Sequence, residues 1–142
     1  MAKFSSNGLD ELMKDIAAFE GGIDSLGDEI LDEGGDILAR AQQEEVRTLW
    51  AGPYSEGISP KSIKKGKITK TKDGKKIVVS PKGSRKRGKK TVRNAEIAFI
   101  NEYGTRGQPG RPAIRTANLK AESSIGKAAE DILDKHQKNH GL

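Results

Sequence analysis

The chain has 142 residues, enough for one domain with a modest core, and 33% of them are hydrophobic whereas 32% are charged. It contains no cysteine, which excludes disulfides and thiolate metal sites, and it has no apolar run of signal-peptide or membrane-spanning length. We therefore expect a protein made and kept in a cytoplasm-like compartment unless it leaves inside a particle. The lean core favours self-association.

Charge is distributed unevenly along the chain. Residues 1–60 carry 13 acidic and 4 basic residues, a net charge of −9, whereas residues 61–93 carry 15 basic residues and only Asp73, a net charge of +14. Residues 94–142 have a net charge of +1. The basic block contains no aromatic residue, so it is suited to sequence-blind contact with phosphates or to contact with an acidic protein surface. In an oligomer, the acidic half of another copy is such a surface.

Helical periodicity dominates residues 7–50. Asn7 is suited to cap a first helix, which the glycines at 21 and 22 end. A second helix is predicted over Asp24–Leu49, and its apolar stripe consists of Leu26, Ile30, Ile37 and Ala41. Gly34 and Gly35 interrupt this pattern, each at a cost of about 1 kcal/mol relative to alanine. Either another backbone packs closely at the glycines or the helix bends there, and we expect a single long helix.

The period changes in residues 61–101, which are predicted to form a β region. Lys67–Thr71 and Lys75–Ser80 flank Lys72-Asp73-Gly74, and an Asp-Gly step between β-prone runs is a strong hairpin signal. The pattern therefore predicts an antiparallel hairpin in this part of the chain.

Pro81–Lys90 follows the hairpin and has no apolar side chain besides its first residue. It is predicted to be a solvated, flexible basic loop. Thr91–Ile100 is then predicted to resume as a third strand, with a helical turn near Phe99 as the alternative for its end. Five cations of this loop are candidates for contact with DNA or with a protein partner: Arg85, Lys86, Arg87, Lys89 and Lys90.

The last element is a helix predicted over residues 111–136. Pro112 suits its first turn, where the missing N–H has no partner. Apolar residues then recur at steps of three and four, at Ile114, Ala117, Ala121, Ile125, Ala128 and Ile132. The chain is thus predicted to be one α+β domain spanning residues 1–142. Its long N- and C-terminal helices pack on a small antiparallel β-sheet with a β-hairpin and the flexible basic loop.

The sequence shows no constellation of catalytic or metal-binding residues. His136 and His140 are four residues apart but have no third ligand and lie near a terminus, so we interpret them as part of a solvated tail. The glycine-rich segment 104–110 lacks a Walker lysine, and the serines lack a neighbouring base. We therefore predict a protein that is not an enzyme and uses no cofactor, metal or small molecule.

Glu102-Tyr103-Gly104-Thr105 is interpreted as a structural segment. Gly104 is predicted to adopt a positive φ in a turn, and Tyr103 to pack with its hydroxyl near water. Glu102 is predicted to cap a helix or to pair with a cation.

Three groups of residues, in this order, resemble the gene-product-ten-like tail-component family of long-tailed bacteriophages. The first group is Pro53, Gly57, Ser62 and Ile63; the second is Phe99, Glu102, Tyr103, Gly104 and Thr105; the third is Arg111, Pro112, Ile114 and Ala117. The resemblance covers residues 24–135. Ala113 replaces the aromatic residue usual in the third group, and Ser55-Glu56 replaces the threonine usual in the first.

This resemblance implies a structural virion protein that acts in the neck, in tail completion and head–tail joining. Its implied partners are other neck and tail proteins: head-completion, tail-terminator or tail-tube proteins. It also implies a homo-oligomeric ring around the DNA channel, non-specific contact with genomic DNA, and a location in the virion after assembly in the host cytoplasm. The alternative is a non-specific nucleic-acid-binding protein that uses the basic segment 61–93. Neither hypothesis involves a membrane.

Overall fold

The computed structural model describes residues 22–52 and 57–139. Two long helices frame this part of the chain: α1 spans Gly22–Leu49 and α4 spans Ala113–Asn139. The elements between them are α2 (Ile58–Ser62), β1 (Ile63–Lys65), β2 (Thr69–Thr71), β3 (Gly74–Lys76), β4 (Val79–Pro81), β5 (Ser84–Arg87), β6 (Lys90–Arg93), α3 (Asn94–Tyr103), β7 (Gly104–Thr105) and β8 (Gln108–Pro109). The first predicted helix lies outside the described residues.

Helix α1 is one continuous helix, as predicted, and it runs through Gly34 and Gly35, where side chains rather than another backbone pack closely. A Cβ atom added at Gly35 would lie 3.0 Å from Cδ1 of Ile77, and one at Gly34 would lie 3.4 Å from Cγ2 of Ile125. The glycines therefore let side chains from the β region and from α4 pack directly on the α1 backbone. This close packing compensates for the low helix propensity of glycine.

Helices α1 and α4 pack against each other along their lengths. The buried positions of α4 follow a four-residue spacing, at Ala113, Ala117, Ala121, Ala129 and Leu133, and Ile125 within this series is half-buried. The predicted apolar face is thus correct at Ala117 and Ala121. In the C-terminal part of α4 the buried residues, Ala129 and Leu133, each follow the predicted residue by one position, and the predicted Ala128 and Ile132 are half-buried. Residues four apart form a continuous ridge on a helix, and such a ridge fits the groove of a neighbouring helix.

The stripe on α1 is also offset from the prediction. Leu26 is buried against Leu133, but Ile37 and Ala41 are half-buried. Ala39, Gln42 and Val46 are buried in their place, again at steps of three and four. None of the helices formed by the described residues is long and apolar enough to cross a membrane.

The strands form small antiparallel pairs, so the described residues have the mixed helix-and-sheet composition of an α+β protein. The pairs are β1–β4, β2–β3, β5–β6 and β7–β8. The β2–β3 pair is the predicted hairpin, and Thr71 faces Gly74 across a turn at Lys72 and Asp73. Gly74 has a φ of +149°, a value that side chains disfavour.

The predicted strand Lys75–Ser80 is in fact divided between two pairs. Strand β3 ends at Lys76, and β4 begins at Val79 and pairs with β1, with Ile63 opposite Pro81. This pairing joins segments that are far apart in the sequence, and the three-residue strand β1 has no alternating pattern of its own.

The loop predicted over Pro81–Lys90 is wrong, and the strand predicted over Thr91–Ile100 is correct only as far as Arg93, where β6 ends. The alternative of a helical turn near Phe99 is confirmed by α3, which contains that residue. In place of the loop, the chain forms the β5–β6 hairpin, with Gly83 and Gly88 at φ values of +81° and +63°. Ladder hydrogen bonds join backbone groups, so a hairpin needs no apolar side chain when glycines make its turns. Helix α3 follows in place of the rest of the predicted strand because its buried residues recur at helical spacing: Asn94, Ile97, Ala98 and Glu102.

The main core lies where the C-terminal end of α1 meets β1, α3 and the start of α4. It consists of Val46, Trp50, Ile63, Ala98 and Ala113. Residues of this core also line two surface grooves: Val46 and Trp50 line one, and Ala98 lines the other.

Candidate functional site

The turn between α3 and α4 contains a tight crossing of two backbone segments at Gly104 and Gly110. Gly104 has a φ of +82°, which confirms the predicted positive φ. A Cβ atom there would lie 2.4 Å from the backbone nitrogen of Gly110, and a Cβ atom at Gly110 would lie 2.7 Å from the carbonyl oxygen of Glu102. Only glycine fits at either position, because the closest atoms belong to backbone.

Glu102 caps the N-terminus of α4 from the neighbouring helix. Its Oε1 accepts a hydrogen bond of 2.8 Å from the backbone N–H of Ile114, and its Oε2 accepts one of 3.0 Å from that of Arg115. These N–H groups lie in the first turn of α4 and have no intrahelical partner, and a carboxylate there complements the helix dipole. Of the two predicted roles for Glu102, capping is confirmed. The buried carboxylate ties α3 to α4.

Arg111 links three elements through its backbone and its side chain. Its Nη1 donates to the carbonyl oxygen of Leu49 at 2.9 Å, and its own carbonyl oxygen accepts a 2.7 Å hydrogen bond from Nε1 of Trp50. Its backbone N–H donates to the carbonyl of Asn101 at 2.7 Å. Arg111 therefore serves the fold, by fastening the end of α1 to α3 and to the approach of α4.

Pro112 is exposed and directly precedes α4, within one residue of the predicted helix start. Its carbonyl oxygen accepts hydrogen bonds from the backbone N–H of Thr116 at 3.1 Å and from the Thr116 hydroxyl at 2.7 Å. The motif residues Glu102, Gly104, Arg111 and Pro112 thus lie together and act structurally, whereas the side chains of Phe99 and Tyr103 are exposed. Pro53 and the Ser55-Glu56 step of the first group lie outside the described residues.

The side chain of Tyr103 is 72% exposed, and its ring centroid lies 4.8 Å from that of Phe99, which is 64% exposed. The predicted packing of Tyr103 is thus limited to its contact with Phe99, and most of its side chain is exposed. Leu119, which is 65% exposed, lies across an open groove of about 760 Å³ between α3 and α4. We call this surface, formed by Phe99, Tyr103 and Leu119, the aromatic face.

A second groove, of about 1080 Å³, lies between the end of α1, helix α2 and the β5–β6 hairpin. Six cationic side chains line it: Arg47, Lys61, Arg85, Lys86, Arg87 and Arg111. No described residue that lines it is acidic. We call this feature the basic groove.

The five predicted basic residues differ in their placement. Arg85 is half-buried and structural, since its Nε donates to Oδ1 of Asn94 at 2.7 Å and its Nη2 donates to the hydroxyl of Ser59 at 2.8 Å. Lys86 and Arg87 are exposed and line the basic groove. Lys89 and Lys90 are exposed on the same hairpin but do not line the groove.

Two further cations of the groove were not among the five candidate contact residues: Arg47, and Lys61, which belongs to the predicted basic segment 61–93. Both are exposed and line it. Arg47 was counted within the acidic half of the chain, and Lys61 lies at the edge of the basic block. Their approach to the hairpin depends on long-range packing, for which the sequence has no local signal.

Other cations of the basic block are neutralised by α1. Lys65 forms ion pairs with Asp32 and, at 2.9 Å, with Asp36, and Lys75 forms one of 2.8 Å with Asp28. The hydrogen bonds that Lys65 donates to Asp32 and Asp36 raise its pKa above the ordinary value. Part of the charge asymmetry is therefore cancelled inside the fold.

The described residues contain no group of three or more metal-ligating side chains. Nε2 of His136 lies 2.7 Å from Oε2 of Glu29, which joins the C-terminal part of α4 to α1. His140 lies outside the described residues. The comparisons of this chain with protein-family models, with curated proteins and with solved structures found no match.

Proposed function

We propose that this chain is a structural virion protein of a long-tailed phage, acting at the neck as a tail-completion component in head–tail joining. The observation that carries the proposal is the aromatic face, which is built directly on the motif residues. Large exposed apolar side chains in one patch are typical of surfaces that contact other proteins. Phe99 and Tyr103 are held at this surface by α3, whose end is fixed by Glu102 and by the Gly104–Gly110 crossing.

In this proposal the protein works by adhesion. Copies assemble into a ring around the tail axis. Each whole chain is one domain, in which the long helices pack on the small antiparallel sheets. The aromatic face contacts a neighbouring subunit, and the ring is seated between head-completion and tail-terminator or tail-tube proteins. Head-to-tail contacts between identical copies close into rings, which suits a part that surrounds a DNA channel.

The composition of the core supports a protein that is stabilised by neighbours. The largest fully buried side chains among the described residues are Leu26, Ile63 and Val46, and alanines occupy most of the buried positions on α4. Small side chains bury little apolar area, and each square ångström contributes only about 25 cal/mol. Contacts within an assembly therefore add a substantial part of the stability.

Deletion of the gene from the phage genome that carries it, followed by electron microscopy of the lysate, tests the proposal. We expect separate full heads and tails, or tails with malformed ends, and rescue by the parent gene supplied from a plasmid. Rescue should fail with a Phe99→Ser/Tyr103→Ser variant and succeed with Val78→Ser, because Val78 is 50% exposed but lies outside the aromatic face. Normal yields of joined, infectious particles from the deletion would contradict the proposal.

The second candidate function, non-specific nucleic-acid binding by residues 61–93, is favoured by one specific observation. The basic groove brings cations from this segment together without a neutralising carboxylate among the described residues. Free protein that binds DNA with high affinity, in a cell where the gene deletion leaves phage particles unchanged, would favour this function over neck assembly.

A further inference from the structure

We infer that the basic groove is a binding site for the sugar–phosphate backbone of nucleic acid, which it contacts without reading sequence. This inference deepens the nucleic-acid contact of the proposed function and names the residues that make it. It differs from the sequence-based hypothesis, because the site is a groove assembled from three separate segments rather than one loop.

The first argument is that uncompensated charge converges on the groove. Arg47 comes from α1, Lys61 from α2, and Lys86 and Arg87 from β5, and all four side chains are exposed. None of the four forms an ion pair with another described residue, in contrast to Lys65 and Lys75. Cations concentrated in a concave surface focus the electrostatic potential and attract a polyanion.

The second argument is that the hairpin forming one wall is held in a fixed position. Asn94 accepts from Nε of Arg85, donates through Nδ2 to the carbonyl of Lys82 at 2.8 Å, and donates through its backbone N–H to Gly83 at 2.9 Å. The other end of the Arg85 guanidinium reaches Ser59, in α2. The groove is thus formed before a ligand arrives, which reduces the entropy lost on binding.

The third argument concerns the class of ligand. Trp50 is the only aromatic residue among the described residues that line the groove, but it is 7% exposed and its N–H is bonded to Arg111. The described part of the groove therefore offers no aromatic surface for base stacking, which favours recognition through phosphates.

The groove is also a poor match for an acidic protein. Protein interfaces usually have an apolar centre surrounded by polar groups. The large exposed hydrophobic side chains of the described residues all lie elsewhere, at Val78, Phe99, Ile100, Tyr103 and Leu119. Apart from Ala51, the described apolar side chains that line the groove are buried or half-buried, whereas four of its cations are exposed, so a ligand meets mainly positive charge, which fits the nucleic-acid backbone better.

Two triple variants of the full-length protein test this inference. The groove variant is Lys61→Gln/Lys86→Gln/Arg87→Gln. The matched control is Lys70→Gln/Lys72→Gln/Lys76→Gln, on the β2–β3 hairpin, where the lysines are also exposed but do not line the groove. Both variants lose three positive charges, so a difference between them reports position rather than net charge. Circular dichroism checks that each is folded.

Binding is measured by fluorescence anisotropy with labelled duplex and single-stranded DNA of random sequence over a range of salt concentrations. We expect the parent to bind all sequences equally and the control to bind within about threefold of the parent. The groove variant should bind more than about tenfold more weakly. The slope of log affinity against log salt on duplex DNA should become shallower by about 0.9 for each phosphate contact removed.

Three results would overturn the inference: no binding by the parent at low salt, equal loss in both variants, or groove-dependent binding of poly-glutamate without binding of DNA. The last result would assign the groove to an acidic protein surface. None of these results bears on neck assembly, because both variants keep the aromatic face, and complementation of the gene deletion tests that role separately.

Discussion

The indole N–H of Trp50 donates to the backbone carbonyl of Arg111 at 2.7 Å, while the Arg111 guanidinium donates to the carbonyl of Leu49, next to Trp50, at 2.9 Å. The two residues thereby interlock the end of α1 with the approach to α4. The Leu49 carbonyl belongs to the last turn of α1, where carbonyls lack an intrahelical partner. A cation at that end also complements the helix dipole.

Removal of this link is expected to destabilise the fold. Arg111→Ala keeps the backbone carbonyl that binds Trp50 but removes the guanidinium, and it should lower the free energy of unfolding by about 1–3 kcal/mol, because the part-buried carbonyl of Leu49 loses a charged donor. Urea unfolding checks this, and the single, buried Trp50 provides the fluorescence signal. Arg106→Ala, in the exposed β7–β8 turn, is the control and should unfold like the parent. An equal effect of both substitutions would contradict the assigned role of Arg111.

A substitution at the backbone crossing should cost more than one at the helix start. Gly104→Val adds a Cβ where the nearest backbone atom is 2.4 Å away, and it places a β-branched residue at a φ of +82°. We expect a loss of about 3 kcal/mol or more, or failure to fold. Pro112→Ala, at an exposed position, should cost at most about 1 kcal/mol. Thermal melting that ranked the two variants in the opposite order would contradict the account of this turn.

Glu102 is expected to stabilise α4 through its cap. Glu102→Ala leaves the N–H groups of Ile114 and Arg115 without their acceptors, at an expected cost of about 1–3 kcal/mol. Glu102→Gln should fall between this variant and the parent, because one amide oxygen still accepts. Glu130→Ala, an exposed substitution later in α4, should change the free energy of unfolding by less than about 0.5 kcal/mol. If Glu102→Ala were as stable as Glu130→Ala, the cap would contribute nothing.

The aromatic face is expected to affect association without affecting stability. Phe99→Ser/Tyr103→Ser removes side chains that are mostly exposed in the isolated chain, so the melting temperature should shift by only a few degrees. Sedimentation over a range of concentrations should show that the parent associates, alone or with purified tail proteins, and that this variant does not. Val78→Ser is the matched control and should associate like the parent. Association that survives in the double variant would remove the aromatic face from the proposed interface.

The features that could be predicted from the sequence depend on local chemistry. The long helices follow from periodicity and from Pro112, the β2–β3 turn follows from Asp73 and Gly74, and the φ of Gly104 follows from its place between two elements. In each case a few neighbouring residues determine the backbone conformation.

The features that could not be predicted depend on long-range packing or on backbone groups. The β1–β4 pair joins residues 63–65 to residues 79–81, and the β5–β6 hairpin has almost no apolar side chains from which to read a period. The strand predicted over Thr91–Ile100 ends at Arg93, and α3 begins at Asn94, five residues before the helical turn expected near Phe99. The basic groove was missed because Arg47 and Lys61 reach it only in the folded chain.

Quantitative mass spectrometry of purified phage particles tests the central claim most directly. If the chain is a neck component, the particles contain it in a small, fixed number of copies relative to the portal protein. The same number of copies is expected in whichever separated part, heads or tails, keeps the ring. Its absence from purified particles, or a copy number that varies from preparation to preparation, would contradict a structural role in the virion.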